Sequence, residues 1–564
     1  MKLEKIVCQN CKNEFKIEEE DFDFYKKIQV PPPTWCPECR LIRRMIWRNE
    51  RTLYKRKCDF SGKEIFSMFS KDAQVKVYDR EVWWSDQWDP LEYGMEYDFS
   101  KPFFDQFFQL IKNVPWFSRV AGDFTNSDYC MNAAHLKNCY LIFYSNYDEN
   151  CFFGNGLHRC RDCYDNSYLV DCELCYGSFR LKRCNRAFFC AECEDCLDIY
   201  FCKNCTGCSN CFGCANLKHK SYCIFNKQYS KEEYFEKIKT LDYGSFKNLV
   251  EIQMKAEDFW KNFPQKFIHG RHNENVSGDY IYNSKNVINS YFIEGGEDLK
   301  YCTFMLNSPI RDCYDYTIFG NNAELIYESL VVGEGASMLK SCLICWPNCK
   351  NLEYCIMCAS SSNLFGCIGL RHKQYCILNK QYTKEEYERL VPKIIEHMNK
   401  MPYIDKKGRV YKYGEFFPPE LSPFAYNETI AQEYFPLTKE KALEKGYKWK
   451  DEEQRYYKPD LKTEDLPDHI KDVKDDILGK IIQCAHAKLN KDGILQATCN
   501  ENCTTAFKII EPELQFYRKM NLPLPRLCPN CRHFQRIKQR NPLKLWKRKC
   551  MCQGETSTNG LYKN

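Results

Sequence analysis

Eight cysteines, four near each end of the chain, have the spacing of metal ligands. Cys8 and Cys11 precede Cys36 and Cys39, and Cys499 and Cys503 precede Cys528 and Cys531. In both sets 25 positions separate the second cysteine from the third. A short Cys pair forms a knuckle that offers two sulfurs to one ion, and four thiolates close a tetrahedral shell. A closed shell leaves no position for water, so the chemistry expected is that of two structural Zn2+ ions, not a catalytic one. In the second set Cys484 is an alternative to Cys499, because it follows Lys480-Ile481-Ile482 much as Cys8 follows Lys5-Ile6-Val7.

The segments that position these cysteines repeat each other. At a constant offset of 492, Phe15 matches Phe507, Phe24-Tyr25 matches Phe516-Tyr517, Pro31 and Pro33 match Pro523 and Pro525, and Arg40 matches Arg532. The match continues through Arg48-Asn49 and Arg540-Asn541 to Lys55-Arg56-Lys57-Cys58 and Lys547-Arg548-Lys549-Cys550. Alternating apolar residues (Phe15, Ile17; Phe507, Ile509) predict a hairpin between the Cys pairs. The second pair should open a helix, since Leu41, Met45 and Ile46 line one side of the stretch from Arg40 to Arg51. Knuckle, hairpin and helix together make a treble clef.

Charge is concentrated in the same two segments. Residues 40–57 carry a local +7 and residues 532–549 a local +8, against +6 for the whole chain, which leaves −9 elsewhere. Arg40, Arg43, Arg44, Arg48 and Arg51 fall on one side of a helix, and Arg532, Arg536 and Arg540 repeat that stripe. A rigid basic helix commonly meets phosphates, with Arg supplying bidentate contacts, so these eight residues are the expected nucleic-acid-binding set. The competing expectations are salt bridges to the acidic solenoid, docking of a protein, or a merely solvated face.

The order C-x2-C, Phe, Phe-Tyr, Pro, C-x2-C-Arg resembles the bacterial "probable zinc-ribbon" treble-clef domain, over about 60 residues at each end. Together with Tyr54-Lys-Arg-Lys-Cys58-Asp-Phe-Ser-Gly62 and Tyr413-Gly-Glu-Phe-Phe417, the whole chain resembles Cys-rich proteins of small-genome uncultivated bacteria. Some of those carry a CoA-transferase-like (CaiB/BaiF) label, for which this chain has no motif. The resemblance implies an architecture and no activity.

Between the ends lies a different rhythm. All 17 cysteines from Cys130 to Cys223 are separated by multiples of three, and a period of twelve sits on top. Cys139, Cys151, Cys163, Cys175, Cys211 and Cys223 form one column, and the next reads Tyr140, Phe152, Tyr164, Tyr176, Phe188, Tyr200, Phe212, Ile224. A β-solenoid with twelve residues per coil does this. Its walls would stand only about 10 Å apart, which favours a small apolar side chain such as Cys inside. The aromatic column should form a ladder, exposed or stacked on a partner element. A second, more degenerate copy follows, with residues 216–229 returning as 369–382. There Cys211 corresponds to Leu364 and Cys175 to Ile326, substitutions that a space-filling residue tolerates and an obligatory ligand does not. Metal clusters in the dense run Cys184 to Cys214, or disulfide rungs such as Cys184/Cys190, are the alternatives.

The expected fold is therefore mainly β with helical additions: two Cys-rich β-solenoid segments flanked by two zinc treble-clef modules. In order these are module A (1–62), an aromatic and acidic connector (63–125), solenoid 1 (126–228), a helical insert (229–276), solenoid 2 (277–381), a capping helix (382–402), an irregular connector (403–480) and module B (481–564). Ser230-Lys-Glu-Glu and Thr383-Lys-Glu-Glu read as capping boxes that start helices over the open solenoid ends. Trp83, Trp84 and Trp88 read as packing residues.

With 28 % charged and 44 % hydrophobic residues the chain should fold, and MKLEKIVCQN lacks the apolar run of a signal peptide. No stretch suits a membrane span, so a cytoplasmic protein with reduced thiols is expected. P-loop, dinucleotide-binding, nucleophile-elbow and zinc-protease motifs are missing, and His269-Gly-Arg-His272 stands alone. The leading expectation is a non-enzymatic zinc-binding scaffold whose basic helices contact RNA or DNA. A protein-assembly scaffold using the solenoid surface is the alternative, and thiol-based metal buffering a further one.

Overall fold

The computed structural model describes residues 4–451, 458–491 and 494–549; Cys550 of the repeated basic motif lies outside them. The chain is mainly β and 23 % helical, built on a β-solenoid of about 21 turns at about 12 residues per turn. Among the described residues no helix is long and apolar enough to cross a membrane.

Solenoid 1 stacks parallel strands in a constant step of twelve, from Ala121↔Ala133 through Ser167↔Phe179 to Cys211↔Cys223. Solenoid 2 is less regular. Its step is 11 at Glu274↔Lys285, 14 at Gly296↔Ile310, 13 at Ile310↔Ala323 and 12 at Ser362↔Gln374.

Each coil of solenoid 1 has four sides of three residues. From Asn132 to Phe225 every third residue turns a corner at φ between 45° and 70°. A left-handed residue other than Gly, Asn or Asp costs about 1–2 kcal/mol, and the stacked coils offset that cost by joining like corners. Asn126, Asn138, Asn150 and Asp162 form one hydrogen-bonded ladder at 3.0–3.2 Å, and Phe189 stacks on Phe201 at 5.0 Å. Where a corner ring needs room below it, a glycine supplies it: a Cβ on Gly177 would sit 2.8 Å from the Phe189 ring.

The cysteines fill the tube. Every one from Cys130 to Cys223 is buried and free, with no disulfide among the described residues. Size is only part of the reason. The residue after each inward position donates its N–H to the next coil (Phe152 to Cys163 O, 3.0 Å), and the corner donates to the previous one (Asp165 to Phe152 O, 3.0 Å). The inward residue's own N–H points into the tube and needs an acceptor there. Cys184 N–H meets Cys172 Sγ at 3.4 Å, and Cys172 in turn donates to Val170 O at 3.3 Å. Ser178, Asp148 and Asn166 accept the equivalent N–H at 2.9–3.1 Å. The interior thus selects a small side chain that also accepts a hydrogen bond. Burial pushes the thiols of Cys130, Cys302 and Cys349 up to about 12.

Helices starting at Ser230 (Lys231–Lys239) and Thr383 (Lys384–Lys400) carry the capping boxes and close equivalent solenoid ends. Tyr222 packs on Tyr234, and Tyr375 on Tyr387, both at 5.8 Å. Trp83 and Trp88 are buried and Trp84 is half-exposed; Arg371 of solenoid 2 lies over the first two. The two solenoids lie side by side and run in opposite directions, with Tyr168 stacked on Phe292, Arg180 over Tyr280 at 3.5 Å, and Arg271 paired with Glu194 at 2.8 Å.

Candidate metal centres and their docking faces

In module A an antiparallel hairpin (Glu4–Val7 with Glu14–Ile17) holds the first knuckle. Within that knuckle Lys12 at φ 63° lets its N–H reach Cys8 O at 3.0 Å. Cys36 caps the helix Pro37–Met45, whose first turn carries Cys39, so the second pair sits at a positive dipole end that favours thiolate. The four sulfurs of Cys8, Cys11, Cys36 and Cys39 lie within 4.8 Å of one another, with Cys11 and Cys36 at 3.7 Å. A tetrahedral ion with M–S bonds of about 2.3 Å requires S···S edges of about 3.8 Å. This group could therefore hold a metal ion. Cys36 N–H donates to Cys8 Sγ and Asn10 Nδ2 to Cys39 Sγ, each at 3.2 Å.

Module B builds the same group, but from Cys484, Cys503, Cys528 and Cys531. Cys484 lies 3.9 Å from Cys531, and Cys503 is 3.9 Å from Cys528. Cys528 N–H donates to Cys484 Sγ at 3.2 Å, reproducing the Cys36–Cys8 contact. The expectation of Cys499 as a ligand of this group is corrected in favour of Cys484. A small hairpin (Ala487–Leu489 with Leu495–Ala497) is inserted between the first and second ligands. The constant offset of 492 therefore starts only after it: it matches Cys11 to Cys503 but puts Asn500 opposite Cys8.

Beyond the metal groups, the two modules dock in the same way. The arginines expected to face phosphate turn inward instead, and the competing expectation of salt bridges to the acidic solenoid holds for Arg40, Arg43, Arg44, Arg532 and Arg536. Arg40 and Arg44 both bind Asp315, at 2.8 and 3.1 Å, and Arg44 Nε donates to Thr317 Oγ1 at 3.1 Å. In module B, Arg532 and Arg536 both bind Asp165, the latter at 2.9 Å, and Arg536 Nε donates to Ser167 Oγ at 3.3 Å. Arg43 joins Glu328 at 2.6 Å and Glu415 at 2.7 Å, and Arg48 joins Glu50 at 2.9 Å. All six guanidiniums are buried. Burial alone would lower their proton affinity; Asp315 and Asp165 reverse this and hold Arg40 and Arg532 well above the ordinary Arg value. Of the remaining two, Arg51 lies over Phe143 at 4.7 Å and Arg540 over Tyr434 at 3.6 Å, both half-buried.

Aromatic residues complete both docks. Phe24 stacks on Tyr314 and Phe516 on Tyr164, each at 3.9 Å, while Tyr25 and Tyr517 pack edge-on against Tyr327 and Tyr176 at 5.8 Å. The solenoid 1 ladder is thus covered by module B, and further along by the helical insert, where Tyr200 stacks on Tyr243. The acidic receptors escaped the sequence reading, although the pentapeptide Arg-Asp-Cys-Tyr-Asp occurs at both 161–165 and 311–315. Among the described residues, no three ligand atoms within the solenoids gather closely enough to hold an ion. His269 and His272 turn to different partners, Asp279 at 3.0 Å and Asn283 at 3.1 Å.

No protein-family model matches the chain, and no curated protein does.

Proposed function

We propose that the protein is a non-enzymatic scaffold in which two zinc treble-clef modules brace a pair of solenoids. One observation carries this reading: at both ends, two buried arginines from the helix opened by the third and fourth cysteines converge on one aspartate of the solenoid wall. An ion at each tetrad fixes the start of that helix, and the helix delivers the guanidiniums to Asp315 or Asp165. Four thiolates suit zinc, and a filled shell supplies structure without reactivity. Counting zinc in the purified chain and melting it before and after chelation tests this. Two or more ions are expected, with a large fall in melting temperature when they are removed; fewer than two, or an unchanged melt, would reject the reading.

A second reading, contact with nucleic acid, is favoured by a different stretch from the one the arginine stripe suggested. Trp546 is 60 % exposed, its neighbours Lys544 and Lys547 are exposed, and Lys544 Nζ stands 6.0 Å from its ring. An exposed ring among cations is a stacking platform for unpaired bases. A salt-sensitive mobility shift on single-stranded RNA that disappears with Trp546→Ala and Lys544→Glu together is the expected result.

A further inference from the structure

We propose that module B holds a second metal ion, bound by His486, Cys499, Glu501 and Cys531, with the Cys531 thiolate bridging it to the ion of the four-cysteine group. His486 Nδ1, Cys499 Sγ, a Glu501 carboxylate oxygen and Cys531 Sγ all lie within 4.8 Å of one another. Cys499 and Cys531 are 3.8 Å apart, the edge of a tetrahedron with M–S bonds of about 2.3 Å. His486 Nδ1 and Glu501 Oε2 are 3.3 Å apart. Nitrogen and oxygen ligands at about 2.0–2.2 Å from one ion require an edge of about 3.3–3.6 Å.

Both of those atoms are buried, and neither has a hydrogen-bond partner. Glu501 as a residue is only 8 % exposed, and Lys538 pairs with its other oxygen, Oε1, which leaves Oε2 aimed at the cluster. An inward carboxylate oxygen without a donor, facing an imidazole nitrogen and two sulfurs, is costly unless something positive lies between them. The donor set of two sulfurs, one imidazole nitrogen and one carboxylate oxygen suits a borderline divalent ion such as zinc.

The inserted hairpin creates this site. It places His486 before its first strand and Cys499 and Glu501 after its second, and Thr498 N–H donates to His486 O at 2.8 Å to close it. Module A has no such insertion, since only two residues separate Cys8 from Cys11. Cys531 lies 3.9 Å from Cys484 and 3.8 Å from Cys499, so one thiolate serves both groups.

The inference rests on the four-cysteine groups being loaded. Zinc is counted in the full chain after dialysis to constant content, for the native protein and for Cys499→Ser and His486→Ala. Three ions in the native chain, falling in both variants, is the expected result. A native count of two overturns the second ion while leaving the braced-scaffold reading intact, and a count below two overturns both. Three or more ions that survive both substitutions also overturn the assignment, because they place the extra metal elsewhere.

Discussion

Module A grips solenoid 2 through Arg40, Arg44, Phe24 and Tyr25, and module B grips solenoid 1 through Arg532, Arg536, Phe516 and Tyr517. The receiving surfaces correspond as well: Tyr314, Asp315, Thr317 and Tyr327 in one half, Tyr164, Asp165, Ser167 and Tyr176 in the other. What differs is a third arginine. Arg43 is matched by Gln535, and its partner Glu328 by Gly177. The pair is present together in one half and missing together in the other. Burial favours keeping the two together: Glu328 without Arg43 would be a buried carboxylate left with only the longer contact to Arg44 at 3.8 Å, whereas Arg43 also answers Glu415 at 2.7 Å.

The largest effect expected from breaking the equivalence is loss of an ion. Binding of a structural zinc is worth on the order of 10 kcal/mol. Cys36→Ser and Cys528→Ser should each remove one tetrad ion and much of that stability, read as zinc content together with thermal melting. Next come the shared aspartates. Asp315→Ala and Asp165→Ala should each cost about 3–5 kcal/mol in denaturant unfolding. A cost confined to one of them would mean that the two docks are alike only in outline.

A smaller effect probes the difference itself. Arg43→Gln should cost about 3–5 kcal/mol by stranding Glu328 and Glu415, and adding Glu328→Gly should recover only the share owed to Glu328, since Glu415 stays without its arginine. A double variant worse than the single would refute the matched-pair account. The mildest test separates the two uses of sulfur. Cys172→Ala should cost about 1–3 kcal/mol by orphaning Cys184 N–H, and Cys172→Ser should cost less, since a hydroxyl at the Ser178 position already plays that part. If serine proves as costly as alanine, the interior selects on packing alone.

Much of this was legible in the sequence. A twelve-residue period sustained from Cys130 to Cys223 does not suit an α-helix, so the solenoid and its coil length followed from those cysteines, and its caps from the boxes at Ser230 and Thr383. Two things were legible only in part. The first ligand of module B stood as a choice between Cys499 and Cys484, because an inserted hairpin separates Cys484 from Cys503 and a fixed offset cannot see across an insertion. The destination of the arginine stripe was legible only as one alternative among several, because spacing at i, i+3 and i+4 says which residues share a helix face and nothing about what lies opposite. The recurrence of Arg-Asp-Cys-Tyr-Asp held that answer, but only a pairing of the two repeats, terminal and central, would have drawn it out.

The pairing is also crossed. The earliest cysteine group in the chain rests on the later solenoid, joining Arg43 to Glu328 across 285 residues, and the last group returns to the earlier one, joining Arg532 to Asp165 across 367. A ribosome making this protein therefore exposes the first finger long before its seat exists, and the first tube long before its lid arrives. The first finger stays unseated until Asp315 and Glu328 have emerged, and the first tube stays uncovered until Phe516 and Arg536 follow.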